Sequence, residues 1–154
     1  MTSKERVLQR ERERGTADAR NFASRAVVEN LDGTALIAQQ NKIPAWSEKA
    51  VYGADLVGCP VQDGNQVYTL LSAHTPAHNP GFRPANLPAI YSIKHTTDPA
   101  LAKPYLAPNG VSGAYKFGDC CKYEGVVYRS IFDGDNVWSP VDYPAGWEEV
   151  QIGG

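Results

Sequence analysis

The chain has 154 residues, with 15 basic and 17 acidic side chains and a formal net charge of −2. This length suits one modest domain or two very small ones, because a lone hydrophobic core weakens quickly below roughly 60 residues. No stretch approaches the roughly 18 to 20 apolar residues that cross a bilayer, and the N-terminus lacks the apolar core of a secretory signal. We therefore expect synthesis in the cytoplasm and no membrane insertion. The three cysteines, Cys59, Cys120 and Cys121, are too few for a disulfide framework, and we expect mostly buried thiols.

The first 25 residues form a chemically separate segment. They contain seven basic and four acidic side chains, a net charge of +3, which leaves −5 for the remainder. The acids interleave with the arginines, which favours a solvated helix with Glu–Arg pairs over a segment that binds nucleic acid. We therefore expect no nucleic acid partner.

Helical signals run through residues 1–43. A threonine–glutamate capping box opens the chain, and the helix that follows it offers only two apolar side chains, Val7 and Leu8, so it has little to bury in its own fold. A second helix carries an apolar stripe that includes Phe22, and a third short helix is expected after Asp32. We predict a helical arm that attaches or oligomerises through Val7, Leu8 and Phe22.

The remainder of the chain contains one short pattern twice. Residues 82–91 align without a gap with residues 138–147, so that two prolines, an alanine and both flanking aromatics coincide. Upstream matches, with short insertions in the first copy, join Tyr52 to Tyr115, Asp55 to Asp119, Val57 to Cys121, Gly64 to Gly125, Val67 to Val127, and Tyr68 to Tyr128. Internal similarity of this kind indicates one supersecondary unit used twice.

Each copy is interpreted as a miniature sheet. Short β-rich runs predict two strands and a hairpin, and prolines four positions apart predict an extended return that brings an aromatic ring back to the core. The rings expected in the cores are Trp46, Tyr68, Tyr128 and Trp147. The predicted fold class is mainly β with N-terminal α-helices and two tandem, small, three-stranded antiparallel β modules. The first module spans 44–97, a linker spans 98–110 and the second module spans 111–152.

Several of these residues follow a known pattern. In the second copy, residues 115–119 supply a tyrosine and Gly-Asp, residues 123–128 a Gly-x-x-Tyr, and residues 144–147 a terminal Pro-Ala-x-Trp. Together with residues 88–91 of the first copy, they resemble the small carbohydrate-binding modules of the family 5 and 12 (chitin-binding type 3) kind. The layout of a helical segment followed by two such copies also resembles short tandem proteins encoded among bacteriophage structural genes.

The resemblance implies one of two settings. In the first, the chain is a phage virion structural or accessory protein, such as a head or tail decoration or a fibre, anchored to other virion proteins by its N-terminal helices. It would be made in the host cytoplasm, form a homo-oligomer and display both modules on the virion surface. In the alternative, it is a free glycan-binding protein that stacks bacterial-surface polysaccharide on exposed aromatics. Neither setting implies an enzyme or a cofactor.

Sugar binding in such modules uses exposed aromatic rings, on which the C–H face of a pyranose stacks. The family carries these rings mainly just after its Gly-x-x-Tyr strand, where this chain has only Phe132. Other candidates lie on or before the proline return, so the predicted carbohydrate-binding residues are Trp138, Phe132, Phe82 and Tyr143. For Trp138 and Phe82 the alternative is packing in a core or between the copies.

The remaining polar groups favour ordinary structure over chemistry. His74 and His78 have metal-ligand spacing, but nearby prolines argue against a shared helical face and favour an exposed loop. Residues 133–136 are rich in oxygen ligands yet lack the downstream acid of a calcium loop, so a turn is expected. The chain has no phosphate-binding loop, nucleophile elbow or catalytic-triad spacing. We therefore predict no metal site, no cofactor and no catalytic residues.

Overall fold

The computed structural model describes residues 22, 26–27, 31–110 and 113–152. Within them, α1 spans Gly33–Ala38. The strands are β1 Pro60–Asp63, β2 Gln66–Leu70, β3 Tyr91–Ile93, β4 Lys103–Pro104, β5 Cys120–Tyr123, β6 Val126–Ser130 and β7 Trp147–Glu149. Single turns of 3-10 helix lie at Gln40–Lys42, Ala54–Leu56, Pro80–Phe82, Pro84–Asn86, Pro99–Leu101 and Pro144–Gly146. Across these described ranges, no helix is long and apolar enough to cross a membrane.

Each copy of the repeat is built around a two-residue hairpin. β1 pairs antiparallel with β2 and closes at Asp63 opposite Gln66, and β5 pairs with β6 and closes at Tyr123 opposite Val126. The turn residues all have positive φ angles: Gly64 (56°), Asn65 (62°), Glu124 (51°) and Gly125 (81°). Two consecutive positive φ angles are those of a type I′ turn, whose twist matches that of the flanking strands. The two hairpins therefore share one register.

The second sheet differs from the prediction. The first sheet has the order β1-β2-β3 and is antiparallel. The second has four strands in the order β4-β5-β6-β7, and β4 runs parallel to β5. β4 lies in the segment predicted as a linker. It has only two residues, the second of which is a proline, so the sequence shows no strand pattern there. The prediction of two three-stranded antiparallel modules is therefore wrong, because the chain combines a three-stranded antiparallel sheet with a four-stranded mixed sheet.

A parallel contact at the start of each copy accounts for the extra strand. In the first copy the Trp46 N–H donates to the Gln62 carbonyl at 2.8 Å, beside a parallel bridge between Ala45 and Gln62. In the second copy the Tyr105 N–H donates to the Lys122 carbonyl at 2.8 Å. Trp46 and Tyr105 thus occupy equivalent positions. The repeated unit of the second copy includes β4, which has only a single bridge as its counterpart in the first.

Strand register and backbone hydrogen bonds correct three matches in the repeat alignment. Val61 lies opposite Tyr68 in the first hairpin. Cys121 lies opposite Tyr128 in the second. Cys121 is therefore equivalent to Val61, and the predicted match to Val57 is wrong.

The same hairpin registers make Gly125 equivalent to Asn65, so its predicted match to Gly64 is wrong by one residue. Asp119 accepts from the last residue of its middle strand as Cys59 does, so its predicted match to Asp55 is wrong as well.

The error comes from where the first copy holds its extra residues. Gly58 and Gly118 are equivalent, since each donates its N–H to the last residue of the middle strand, at 2.7 and 2.8 Å. Gly58 follows Tyr52 by six positions, whereas Gly118 follows Tyr115 by three. The 3-10 turn Ala54–Leu56 takes up the difference. The predicted alignment instead places the extra residues of the first copy between Val57 and Gly64.

α1 begins where the sequence indicated. The Asp32 carboxylate accepts the Ala35 N–H at 2.9 Å, which is the bond of an N-cap. Leu36 and Ile37 then pack in one cluster with Val67 of β2. The broader prediction of N-terminal α-helices is wrong for the described residues, because this six-residue helix is the one α-helix whose bounds lie among them.

Aromatic rings form much of both cores. The first contains Val61, Tyr68, Leu70 and Tyr91, and the second contains Tyr115, Cys121 and Trp147. Tyr68 and Trp147 are buried, as predicted. Trp46 and Tyr128 are half-buried and pack against the first and second cores, respectively.

Side chains of both copies meet at their junction. His95, which follows β3, stacks on Tyr115 of the second core with ring centroids 3.7 Å apart. The Gln66 side-chain amide donates to the Pro104 carbonyl at 2.9 Å, and Leu106 packs against the first core. The two copies therefore form one packed tandem.

Candidate functional site

Three aromatic rings meet on the second copy. The ring centroids of Phe132 and Trp138 lie 5.8 Å apart, those of Phe132 and Tyr143 6.0 Å, and those of Trp138 and Tyr143 5.4 Å. Interplanar angles of 82°, 73° and 74° make each pair edge-to-face. Such pairs stabilise one another beyond the area that they bury. We call Phe132, Trp138 and Tyr143 the ring cluster.

Trp138 is the member of the ring cluster that is most open to solvent. It is 44% exposed, whereas Phe132 and Tyr143 are half-buried. Two neighbouring rings thus brace an indole that keeps much of its surface free. A braced flat ring of this kind offers a stacking surface for the C–H face of a sugar.

A buried asparagine positions the exposed tryptophan. The Asn136 side chain donates to the Ser130 hydroxyl at 3.2 Å and to the Gly146 carbonyl at 3.1 Å. Its side-chain oxygen accepts the Trp138 N–H at 3.3 Å, and its backbone exchanges two hydrogen bonds with Tyr115. Removing a partner from a buried polar group is costly. Asn136 therefore fixes the segment that carries Trp138 against the second sheet.

The core supports the ring cluster from beneath. The Trp147 indole N–H donates to the Trp138 carbonyl at 3.0 Å. The Tyr143 N–H donates to the Ser139 carbonyl at 2.9 Å. A Cβ atom at Gly146 would lie 2.7 Å from the Tyr143 ring, so the ring rests directly on this glycine. The cluster is therefore tied to the second core.

Carboxylates adjoin the ring cluster in the chain. Asp133 follows Phe132 and Asp142 precedes Tyr143, and both aspartates are exposed. Ionised carboxylates accept hydrogen bonds from hydroxyl groups. The loops that carry the rings thus also carry groups suited to holding sugar hydroxyls.

The first copy lacks such a cluster. Phe82, which aligns with Trp138, is 40% exposed, and its ring packs edge-to-face on His74 at 5.7 Å. Ser72 and Leu87 stand where the second copy has its other two cluster rings. In the part of the chain that the structure describes, no ring contact joins Phe82 to the ring cluster. The structure thus brings together three of the four predicted carbohydrate-binding residues.

The predicted attachment residues are only partly described. Val7 and Leu8 lie outside the described residues. Phe22 is 6% exposed and belongs to the cluster in which α1 packs on Val67. Its ring therefore contributes to this chain's own core, and attachment through Val7 and Leu8 stays a prediction.

Neither histidine of the proline-rich loop has metal-ligand surroundings. His74 packs edge-on against Tyr91, and its Nδ1 lies 3.3 Å from the Tyr91 hydroxyl. The His78 N–H donates to the Glu48 carbonyl at 2.9 Å. Over the described ranges, no group of three His, Cys, Asp or Glu side chains is placed to hold a metal ion.

The cysteines should differ in reactivity. Cys120 and Cys121 are buried and Cys59 is half-buried. Burial raises the pKa of all three thiols, that of Cys121 to about 12, and only the thiolate reacts readily. With a thiol-specific reagent, we expect Cys59 to react in the folded protein and the other two only after denaturation. A Cys59→Ser variant should then give no early reaction. Prompt reaction of all three thiols in the native protein would contradict this placement.

Sequence reasoning missed one residue of the site. The sequence predicts a turn at Asn136, yet this residue is fully buried and its side-chain oxygen accepts the Trp138 N–H. Comparisons with known proteins find no matching family model and no similar curated protein. The function must therefore be inferred from the geometry of the ring cluster and from the resemblance of the repeat.

Proposed function

We propose that this chain is a non-enzymatic glycan-binding protein of the carbohydrate-binding-module type, whose second copy binds a bacterial-surface polysaccharide on the ring cluster. The observation that carries the proposal is the exposed Trp138 indole, braced edge-on by Phe132 and Tyr143. A pyranose stacks its C–H face on such a ring and leaves its hydroxyls for nearby carboxylates.

The bracing matters for affinity because binding costs conformational freedom. A side chain that must be ordered on binding costs about 0.5–1.5 kcal/mol. Trp138 is already held by its contacts with two rings and by the Asn136 side-chain oxygen. Less of the stacking energy is therefore lost to ordering.

The setting of the protein is a second part of the proposal. The layout of an N-terminal segment followed by two modules supports a virion structural or accessory protein of a bacteriophage. Its arm, with a net charge of +3 over residues 1–25, would contact other virion proteins or further copies of this chain. Glycan binding would then attach the particle to its host. A free glycan-binding protein remains the alternative setting, and the ring cluster serves the same purpose in both.

The test is retention of the full chain on insoluble peptidoglycan. Trp138→Ala should weaken retention about tenfold or more, because central aromatic anchors dominate binding energy. Val141→Ala removes an exposed apolar side chain from the same loop, leaves the ring cluster intact and should bind as the unmodified protein does. A single cooperative thermal unfolding transition of Trp138→Ala would show that the fold is intact. Full retention of that variant, or no retention of the unmodified chain, would refute the proposal.

A further inference from the structure

A fourth aromatic ring of the second copy lies outside the ring cluster. Phe117 is 65% exposed, more than Trp138 at 44%. It stands at the apex of a turn in which the Asp119 N–H donates to the Lys116 carbonyl at 3.0 Å, and Gly118 has a φ of +93°. This turn geometry favours glycine at that position. Phe117 takes no part in the second core.

The turn that carries Phe117 is joined at both ends to the loop that carries Phe132. At one end, Tyr115 and Asn136 exchange two backbone hydrogen bonds, of 3.0 and 2.9 Å. At the other end, the Gly118 N–H donates to the Ser130 carbonyl at 2.8 Å.

A side-chain contact reinforces this connection. Lys116, the residue before Phe117, forms an ion pair with Asp135 in the loop of Phe132. The turn that carries the exposed Phe117 is thus bonded directly to the loop of the ring cluster.

The equivalent turn of the first copy has the same backbone geometry but a different apex side chain. Its apex residue is Val57, which precedes Gly58 as Phe117 precedes Gly118. Both turns lie against another segment of this chain, since a Cβ atom at Gly58 would lie 3.7 Å from Val27 and one at Gly118 would lie 3.6 Å from Thr97. The first copy has no ring at its apex and no ring cluster, whereas the second copy has both.

We propose that Phe117 is a second stacking position for the glycan, so that the second copy binds a run of several sugar units across Phe117 and Trp138. The inference rests on the proposed function and deepens it. A sugar chain extended from Trp138 over the loop of Phe132 reaches the turn of Phe117. A short oligosaccharide occupies the ring cluster alone.

The experiment uses the full chain with chito-oligosaccharides, which contain the N-acetylglucosamine of peptidoglycan. Phe117→Ala should weaken binding of the hexasaccharide about three- to tenfold and leave binding of the disaccharide unchanged, since one aromatic contact is lost. Phe117→Tyr should restore hexasaccharide binding because it keeps a ring. Val57→Ala, at the equivalent apex of the first copy, should bind both sugars as the unmodified chain does.

The outcomes separate this inference from the proposed function. Equal effects on both sugars, or no effect of Phe117→Ala, would overturn the second stacking position while loss of both sugars in Trp138→Ala still supports the first. If the unmodified chain binds neither sugar, or if Trp138→Ala binds both normally, the proposed function fails and the inference fails with it. A fall in molar mass by light scattering for Phe117→Ala alone would assign the ring to contact between copies of the chain and overturn the inference.

Discussion

Replacing Trp147 with alanine is expected to lower the free energy of unfolding by about 3–5 kcal/mol. The ring is 5% exposed and packs edge-to-face on Tyr115 with centroids 5.2 Å apart. The substitution leaves a large cavity in the second core. It also removes the indole N–H that donates to the Trp138 carbonyl at 3.0 Å. This loss is a large fraction of the stability of a small protein.

Trp138→Ala is the matched control, because it removes the same side chain from the surface. We expect a smaller loss of about 1–2 kcal/mol, because the indole is 44% exposed and gives up two edge-to-face contacts without leaving a core cavity. Urea titrations followed by circular dichroism would measure both variants. Equal destabilisation of the two would mean that Trp138 belongs to the core, which is incompatible with a stacking role.

Stability should fall as the pH is lowered, because of His95. Its ring stacks on Tyr115 with an interplanar angle of 16°, and Nε2 donates to the Gly113 carbonyl at 2.7 Å. Burial, with a smaller contribution from the charge of Lys94, lowers the pKa of His95 from 6.5 to about 4, although the bond to Gly113 acts in the opposite direction. The folded protein therefore favours the neutral imidazole.

The direction of the pH effect follows from which state binds the proton first. Between about pH 6.5 and about pH 4, the unfolded chain protonates His95 while the folded chain does not. The contribution of neutral His95 to the free energy of unfolding is thus complete above about pH 6.5, and it is lost as the pH falls from there to about pH 4. Since each pKa unit corresponds to about 1.4 kcal/mol, the loss is at most about 3 kcal/mol.

His95→Phe isolates this contribution, because phenylalanine keeps a stacking ring and cannot take a proton. Urea midpoints at neutral and acidic pH should diverge, with the unmodified protein losing more stability than the variant. Asp119, whose pKa burial raises, acts in the opposite direction but is common to both proteins. Parallel pH profiles for the two proteins would contradict the assignment of the effect to His95.

The hairpins were predictable from the sequence, and the fourth strand was not. Matching Val67 to Val127 and Tyr68 to Tyr128 placed both middle strands in their observed register, because turn residues and alternating apolar positions carry a strong local signal. β4 Lys103–Pro104 has neither signal. It is a strand only because β5 lies beside it, so tertiary contact decides its structure.

The candidate site was predictable residue by residue, but not as an arrangement. Exposed-ring chemistry pointed to Phe82 as much as to Trp138, since both precede the proline return. What separates them is the identity of their neighbours, since Ser72 and Leu87 stand where the second copy has rings. In the sequence, Phe117 is only one residue of the repeated motif at 115–119. The structure shows that its turn is hydrogen-bonded to the loop of the ring cluster.

The most direct measurement of the central claim compares retention of Trp138→Ala and Phe82→Ala on peptidoglycan. These residues occupy aligned positions in the two copies, and both are exposed, at 44% and 40%. If the second copy binds the glycan through its ring cluster, Trp138→Ala loses retention and Phe82→Ala keeps it. Equal retention of the two variants, or loss in Phe82→Ala alone, would contradict glycan binding at the ring cluster.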